Sequence, residues 1–408
     1  MSPAILILDQ DGIGARLAEA RKLRGLTQDG LALRIPCSKS LISQVERGVK
    51  PATPWLVSAV AAVLHVDVPG LLGQPYRGTT ERTDRAHASI PQIRVAMNYW
   101  DVPPDIDVTP RPLSEISKDI ELTGKLLDKI DYIQLGARLP GLIEELSAVF
   151  HDSSWAVRRE AARLLMHAFV AAKSVAYRLG YIDLVSVAVE RATSAALETG
   201  EPELAAFMAE ERCQIFFATG AHRAGLKFID QAHRDFGELT SGTESGLAIT
   251  GSMHLRAAIM AAREPARRSD CWDYLAQASE ISDRIGHDTN HYGLIFGPSN
   301  VKIHEVATAI ELEDADDALR RNEGFQPPPD LPPERSSHHY IDVARAQLLA
   351  SEPNLALESL STADRLSPQH TRNHPMARET IMGLIRAHHR LPEPLRLMAG
   401  RMGVSVTA

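Results

Sequence analysis

The sequence predicts an all-α protein: a small N-terminal bundle of five helices followed by an α-solenoid of helical hairpins. Three observations point there. From Ile13 onward, apolar residues recur at three- and four-residue spacing with almost no alternating pattern, which marks helices with one buried face. Cap and stop residues punctuate that rhythm at short-helix intervals as far as Leu72. Beyond Leu113, small residues recur in the second helix of successive pairs, at Ala232, Ala278 and Ala363, where paired helices must approach closely.

The elements follow in order. Ile13, Leu17, Ala20 and Leu23 form the apolar face of a first helix, ended by Gly25. Thr27 can cap a second that uses Leu31 and Ile35, and Ser38 a third running from Lys39 to Arg47 and closed by Gly48. Pro54, in a first-turn position, opens a fourth through Leu56, Val60 and Leu64, and Val68 to Leu72 makes a short fifth.

From Gly73 to Pro112 the rhythm is expected to fail, because Pro75, Pro91, Pro103, Pro104, Pro110 and Pro112 fall close together. We read residues 1–73 as one domain, 74–112 as a proline-rich linker, and 113–408 as the repeat domain, with Ile90 to Val102 apolar enough to dock. Within the repeats the expected pairs are Glu201–Gly220 with Ala221–Phe236, Leu247–Arg263 with Ser269–Ile285, Val301–Leu312 with Ala315–Asn322, and Tyr340–Ser351 with Leu355–Leu366.

Composition narrows the function classes. A chain of 408 residues that is 44% hydrophobic can bury two or three cores without covalent staples. Cys37, Cys213 and Cys271 are odd in number and far apart, which fits reduced thiols in a cytoplasm better than a disulfide framework. The first residues lack the basic flank of a signal peptide, and no stretch approaches the length of a membrane span, so a cytoplasmic location is expected. Net charge is -8, yet Ile13 to Lys50 carries eight basic residues against three acidic ones. A basic head on an acidic body is the distribution expected of a phosphate-binding module on a separate sensor or scaffold.

On the third helix, Lys39, Ser40, Ser43, Gln44 and Arg47 share one side, while Leu41, Ile42 and Val45 take the other. A stripe of donors and acceptors on an exposed helix fits the major groove, where Lys can bond guanine and Gln can bond adenine. The run Leu26 to Gly48, LTQDGLALRIPCSKSLISQVERG, resembles the helix-turn-helix of phage-repressor-type (XRE-family) transcriptional regulators. The resemblance implies that Lys39, Ser40 and Gln44 meet base edges, that Arg47 and Lys50 meet phosphates, and that Gln28 meets phosphate or braces the first residues of the recognition helix. Glu46 is expected to pair with Arg34 or Arg47. One departure is Pro36, where the family usually has Gly in the turn; proline cannot take a positive φ, so another geometry is required.

Tyr340, Ala344, Leu348, Pro353, Ala356, Leu357, Leu360, Ala363 and Pro368 resemble a tetratricopeptide repeat. Repressor-type heads on helical repeats resemble peptide-responsive regulators of Gram-positive bacteria. The segments Pro36-Cys37-Ser38-Lys39-Ser40 and Gly73-Gln74-Pro75-Tyr76 are closer to XRE-family regulators of Streptomyces-like actinobacteria. Those resemblances imply a homodimer on an operator in double-stranded DNA and a peptide or small-molecule effector in the repeats.

The most unusual stretch of the body is Thr289 to His304, TNHYGLIFGPSNVKIH. Asn290, His291, Tyr292, Phe296, Asn300 and His304 are candidate effector contacts, with Asn300 and His304 one helical turn apart. Alternatively Asn290 caps a turn, Gly297-Pro298 starts a helix and the rest packs locally. Sixteen histidines include the adjacent pairs His338–His339 and His388–His389, but no ligands at i and i+4 with a nearby acid are read, so no metal and no cofactor are expected. There is no phosphate loop, dinucleotide fingerprint or nucleophile elbow, and no enzymatic activity is expected. Two functional readings remain: a ligand-responsive transcription factor, or a DNA-localised adaptor whose repeats recruit a protein partner.

Overall fold

The computed structural model describes residues 12–76, 81–104 and 109–404. Their regular structure is almost entirely helical, as expected. The head comprises α1 (Ile13–Leu23), α2 (Gln28–Ala32), α3 (Lys39–Glu46), α4 (Pro54–Leu64) and α5 (Val68–Leu72). Thr27 Oγ1 accepts from Gly30 N at 3.0 Å and Ser38 Oγ from Leu41 N at 3.1 Å, so both anticipated caps satisfy an orphan helix amide. Leu17, Leu31, Ile42, Leu56, Val60 and Leu64 fill the core between the five helices. Gly14 lets α1 lie against the end of α3: a Cβ there would stand 2.0 Å from the Val45 carbonyl oxygen.

The turn at Pro36 takes the alternative geometry that proline demands. Cys37 N donates to Ile35 O at 2.7 Å, a three-residue turn centred on Pro36, whose locked φ suits an inverse γ-turn. No residue with positive φ is needed between α2 and α3.

The stretch 74–112 is more ordered than a linker reading implies. It contains α6 (Glu81–Ala88), α7 (Ile90–Ala96) and a 3-10 turn, Met97–Trp100. Pro91 falls in the first turn of α7, where its missing N–H breaks no hydrogen bond. Ile90, Ile93 and Met97 are buried in the core of the body.

The body continues with α8 (Leu113–Asp128) and α9 (Tyr132–Asp152), then α10 (Trp155–Leu179), α11 (Ile182–Thr199), α12 (Pro202–Thr219), α13 (His222–Thr240), α14 (Glu244–Arg263) and α15 (Cys271–Ile285). A short hairpin, β1 (Thr289–His291) and β2 (Leu294–Phe296), precedes α16 (Pro298–Glu311), α17 (Ala315–Asn322), α18 (Pro333–Leu349), α19 (Pro353–Leu366), α20 (Pro368–Asn373), α21 (Pro375–Ala387) and α22 (Glu393–Arg401). Successive antiparallel pairs from α10–α11 to α18–α19 form the repeat array, and Ala232, Ala278 and Ala363 are buried in the second helices of their pairs. Among the described residues, no helix is long and apolar enough to cross a membrane.

Head and C-terminal repeats share one apolar core. Leu17, Ile42 and Val60 of the head belong to the same buried cluster as Ile341, Leu360, Ile381 and Leu395. The Ala52 amide donates to Glu379 Oε1 at 3.1 Å, and the Arg378 guanidinium lies 4.2 Å from the centre of the Tyr76 ring. The head is therefore docked on the body through α4, α5 and the segment after them, and α3 is left facing outward.

Candidate nucleic-acid interface and interior cavity

The helix-turn-helix presents its polar stripe to solvent. Lys39, Ser40, Arg47 and Lys50 are exposed, Ser43 and Gln44 half-buried, and Ile42 and Val45 buried beneath them. α3 ends at Glu46, with Arg47 as its C-cap and Gly48 at φ 69°, so Arg47 projects from the helix terminus. Its Nε donates to Ser43 O at 3.2 Å, while Gln44 Nε2 donates to Ser40 Oγ at 3.3 Å. Lys39 makes an exposed ion pair with Asp29 at 2.7 Å, one that DNA can displace at little cost because such pairs contribute about 1 kcal/mol or less.

The structure corrects two expectations about the brace of this helix. Glu46 pairs with neither Arg34 nor Arg47: Arg21 Nε donates to its Oε1 at 2.5 Å and Arg21 Nη2 to its Oε2 at 2.8 Å. Gln28 Nε2 also donates to Glu46 Oε2 at 2.8 Å, so Gln28 braces the last residue of the recognition helix, not the first ones. The Arg21 guanidinium also holds the Leu26 carbonyl at 2.6 Å. One buried carboxylate thus ties α1, α2 and α3 together, a network worth more than an exposed pair because its removal would strand a charge.

The basic surplus of the head is partly structural. Arg16 Nε donates to Leu71 O at 2.8 Å and Arg24 Nε to Leu64 O at 2.7 Å, satisfying carbonyls at the ends of α5 and α4. The exposed cations of the head are Lys22, Arg24, Arg34, Lys39, Arg47 and Lys50, of which Arg24 is tied to the end of α4.

Behind the head lies a cavity of about 820 Å³. Its roof is Pro54, Val57, Ser58, Val68, Leu72 and Gln74 of the head segment, and its walls come from α8, from the first helix of each hairpin, α10, α12, α14, α16 and α18, and from the β1–β2 hairpin and the α20–α21 junction. The inner faces of those helices carry charges in pairs: Lys173 with Glu211, Arg178 with Glu334, and Arg256 with Glu210. Burial pushes the Glu334 pKa up, but the Arg178 charge outweighs it and holds the carboxyl well below the usual carboxylate range.

The candidate effector residues divide between this cavity and other surroundings. Asn290, Tyr292, Asn300 and His304 line it. His291 instead pairs with Glu244 at 2.9 Å, and Phe296 is fully buried against Gly251, where a Cβ would stand 2.0 Å from the ring. Tyr292 and Gly293, at φ 56° and 79°, make the tight turn of the hairpin, a strand pair where only helices were expected. Tyr292 stacks on Phe207 and donates to Glu203 Oε1 at 2.7 Å. Asn300 Nδ2 is used by the Ile295 carbonyl at 2.6 Å, and His304 Nδ1 donates to Asn300 O at 2.8 Å.

Sequence reasoning missed three further cavity residues. His370 and His374 stand four apart, a spacing the reading of the histidines passed over, and His338 of α18 comes beside them. Their ligand-capable atoms lie within 4.8 Å of one another. Burial first, and neighbouring arginines second, push the His338 ring down to about 3, so it is neutral at ordinary pH.

Residues 13–71 match the family model of a helix-turn-helix domain. No curated protein matches the chain. Among solved structures the chain is similar to PlcR of Bacillus thuringiensis, crystallised in complex with the peptide PapR7 and DNA. Identity is 14% and TM-score 0.32, over 76% of this chain and 94% of that one, a likeness too distant to bear on what this chain binds.

Proposed function

We propose that the chain is a sequence-specific DNA-binding transcriptional regulator. It acts as a homodimer, reads operator half-sites with α3, and holds a peptide or small-molecule effector in the cavity behind the head. Lys39, Ser40, Ser43 and Gln44 meet base edges; Arg47 and Lys50 meet phosphates and set register and salt dependence. Gln28 holds the helix end that presents them. Pairing of heads follows from the smallness of one helix-turn-helix footprint, since two half-sites a helical turn apart supply the affinity that one does not.

The observation that carries the effector part is the shared cavity. Its roof is the DNA-binding head and its walls are the repeats, so an occupant touches both bodies at once. A ligand that binds one arrangement of head and repeats better than another shifts the equilibrium between them, and DNA affinity shifts by the same coupling free energy. Asn290, Tyr292, Asn300 and His304 are its contacts from the hairpin and α16.

Anisotropy titrations of the full chain on a selected site, with sedimentation of the complex, test this reading. Two chains per site and a DNA affinity that responds to an added cavity ligand support it. One chain per site, with a stably captured protein partner and no ligand response, would favour the adaptor instead.

A further inference from the structure

The wall of the cavity formed by α18 and the α20–α21 junction has more hydrogen-bond donors than acceptors. Arg335 is the clearest case. Lys173, Arg178 and Arg256 each hold a carboxylate, whereas the guanidinium of Arg335 has no hydrogen bond and no ion pair among the described residues, and its Nε is closed off from solvent with no acceptor. The neighbouring carboxylate, Glu334, is engaged by Arg178. Burial first, helped by the like charges of Arg178 and Arg256, outweighs the favourable charge of Glu334 and pulls the Arg335 pKa down, yet a guanidinium does not give up its proton in a protein. It is a half-buried cation on the cavity wall, with no hydrogen-bonded or ion-paired partner among the described residues.

His370 supplies a second orphan donor. Its Nδ1 lies 2.9 Å from Arg178 Nη1, and a guanidinium nitrogen only donates, so Nδ1 is the acceptor and the proton of the neutral ring sits on Nε2. That Nε2–H is buried and has no acceptor. His338, one turn from Arg335 on α18, places its ring 5.8 Å from that of His370. The charge of Arg335 acts on both His338 and His304.

His338, His370 and His374 could also be read as a cation site. The tautomer of His370 opposes it: one ring nitrogen accepts from Arg178 and the other carries the proton, which leaves no lone pair for a metal. Two guanidinium charges stand alongside. The carboxylate of this wall, Glu334, is taken by Arg178, so Arg335 has no charged acceptor of its own.

We propose that Arg335, with the Nε2–H of His370, forms an anion-binding subsite of the cavity that takes a carboxylate or phosphate group of the occupant. The inference rests on the cavity being a ligand site, and it gives the ligand a chemical class: an acidic molecule, anchored by a charge-assisted fork at Arg335. A carboxylate or a phosphate would serve that fork equally.

Calorimetry and thermal melts of the full chain test it, with inorganic phosphate, acetate and chloride as probes at equal ionic strength. Phosphate or acetate is expected to bind and to raise the melting temperature above that in chloride; which of the two binds more tightly identifies the group. Arg335→Gln is expected to weaken that binding roughly tenfold or more, while leaving the anion-free melting temperature about equal, because no ion pair or hydrogen bond of the Arg335 guanidinium among the described residues is lost. Arg335→Lys, which keeps the charge, should retain part of the binding and serves in place of the glutamine variant should that one not fold. The proposal is overturned if neither anion binds better than chloride, or if Arg335→Gln binds them as the parent does. It is equally overturned if the parent takes up one zinc ion per chain and His370→Gln abolishes that uptake. Anion binding that leaves DNA affinity unchanged would keep the subsite and remove the regulatory reading.

Discussion

The backbone amide of Ala52 donates to Glu379 Oε1 at 3.1 Å across 327 positions of sequence, and with it the DNA-binding head is stitched to the C-terminal repeats. Ala52 lies directly before α4, whose Pro54 and Val57 roof the cavity. The contact therefore sits where a change in cavity shape would be felt by the head.

Replacing Glu379 with Ala leaves a buried amide without an acceptor, at a cost of about 1–3 kcal/mol. Hydrogen exchange in residues 49–57 should then accelerate while α13, which contributes nothing to the cavity lining, keeps its protection. Equal protection of both segments in parent and variant would show that this contact does not hold the head in place.

The Arg21–Glu46 pair predicts an asymmetry. Both side chains are under 10% exposed, at 8% and 6%, so Arg21→Met should destabilise the chain by about 3–5 kcal/mol by stranding a buried carboxylate. The double replacement Arg21→Met with Glu46→Leu should recover most of that loss. Urea midpoints of the two variants decide it, and a double variant as unstable as the single one would contradict the account.

On DNA, Lys50 and the pair Lys39 and Gln44 should separate cleanly. Lys50→Ala is expected to weaken binding to all sequences alike and to lower the slope of log affinity against log salt by about 1. Gln44→Ala should cost about 1–3 kcal/mol on the preferred site and relax preference at one base position. Affinities at several salt concentrations, on preferred and scrambled duplexes, distinguish the two behaviours.

The buried histidines set a pH dependence. Burial, assisted by Arg263, brings His222 down to about 3, and burial, assisted by His233, brings His254 down to about 3. Both folded values lie below the unfolded value of about 6.5, so the unfolded chain takes up protons that the folded chain refuses. Stability is full above about pH 6.5 and falls as pH drops toward 3, on the order of a few kcal/mol per group. Urea midpoints between about pH 7 and 5 should fall, and His254→Gln should flatten the fall; an unchanged slope would remove His254 from the explanation.

Much of the head was legible because its signals are local. Thr27, Ser38 and Pro54 act within three or four residues, and the Pro36 turn is dictated by the residue itself. The brace was not legible, because Arg21, Gln28 and Glu46 meet only once three helices have packed, and charge type alone offered Arg34 and Arg47 as equally good partners. The shared core of head and repeats was hidden for the same reason: Ile42 and Ile381 read as core residues, and nothing local says that they belong to one core. In the body, the cluster of polar and aromatic residues drew Thr289 to His304 together as a ligand segment; the helix starting at Gly297-Pro298 was legible as the alternative, but the Tyr292-Gly293 hairpin was not. Phe296 looked available when Gly251 had already made room for it. His370 and Arg335 carry no pattern of their own; their meaning comes from Arg178, which supplies a proton donor to one and takes the carboxylate nearest the other.

Whether α3 reads DNA sequence is decided by selection from a random duplex pool with the full chain. The parent protein should enrich one motif with two related half-sites, and the Lys39→Ala, Gln44→Ala double variant, its fold intact by circular dichroism, should enrich none. Recovery of the same motif by that variant would contradict sequence reading by α3.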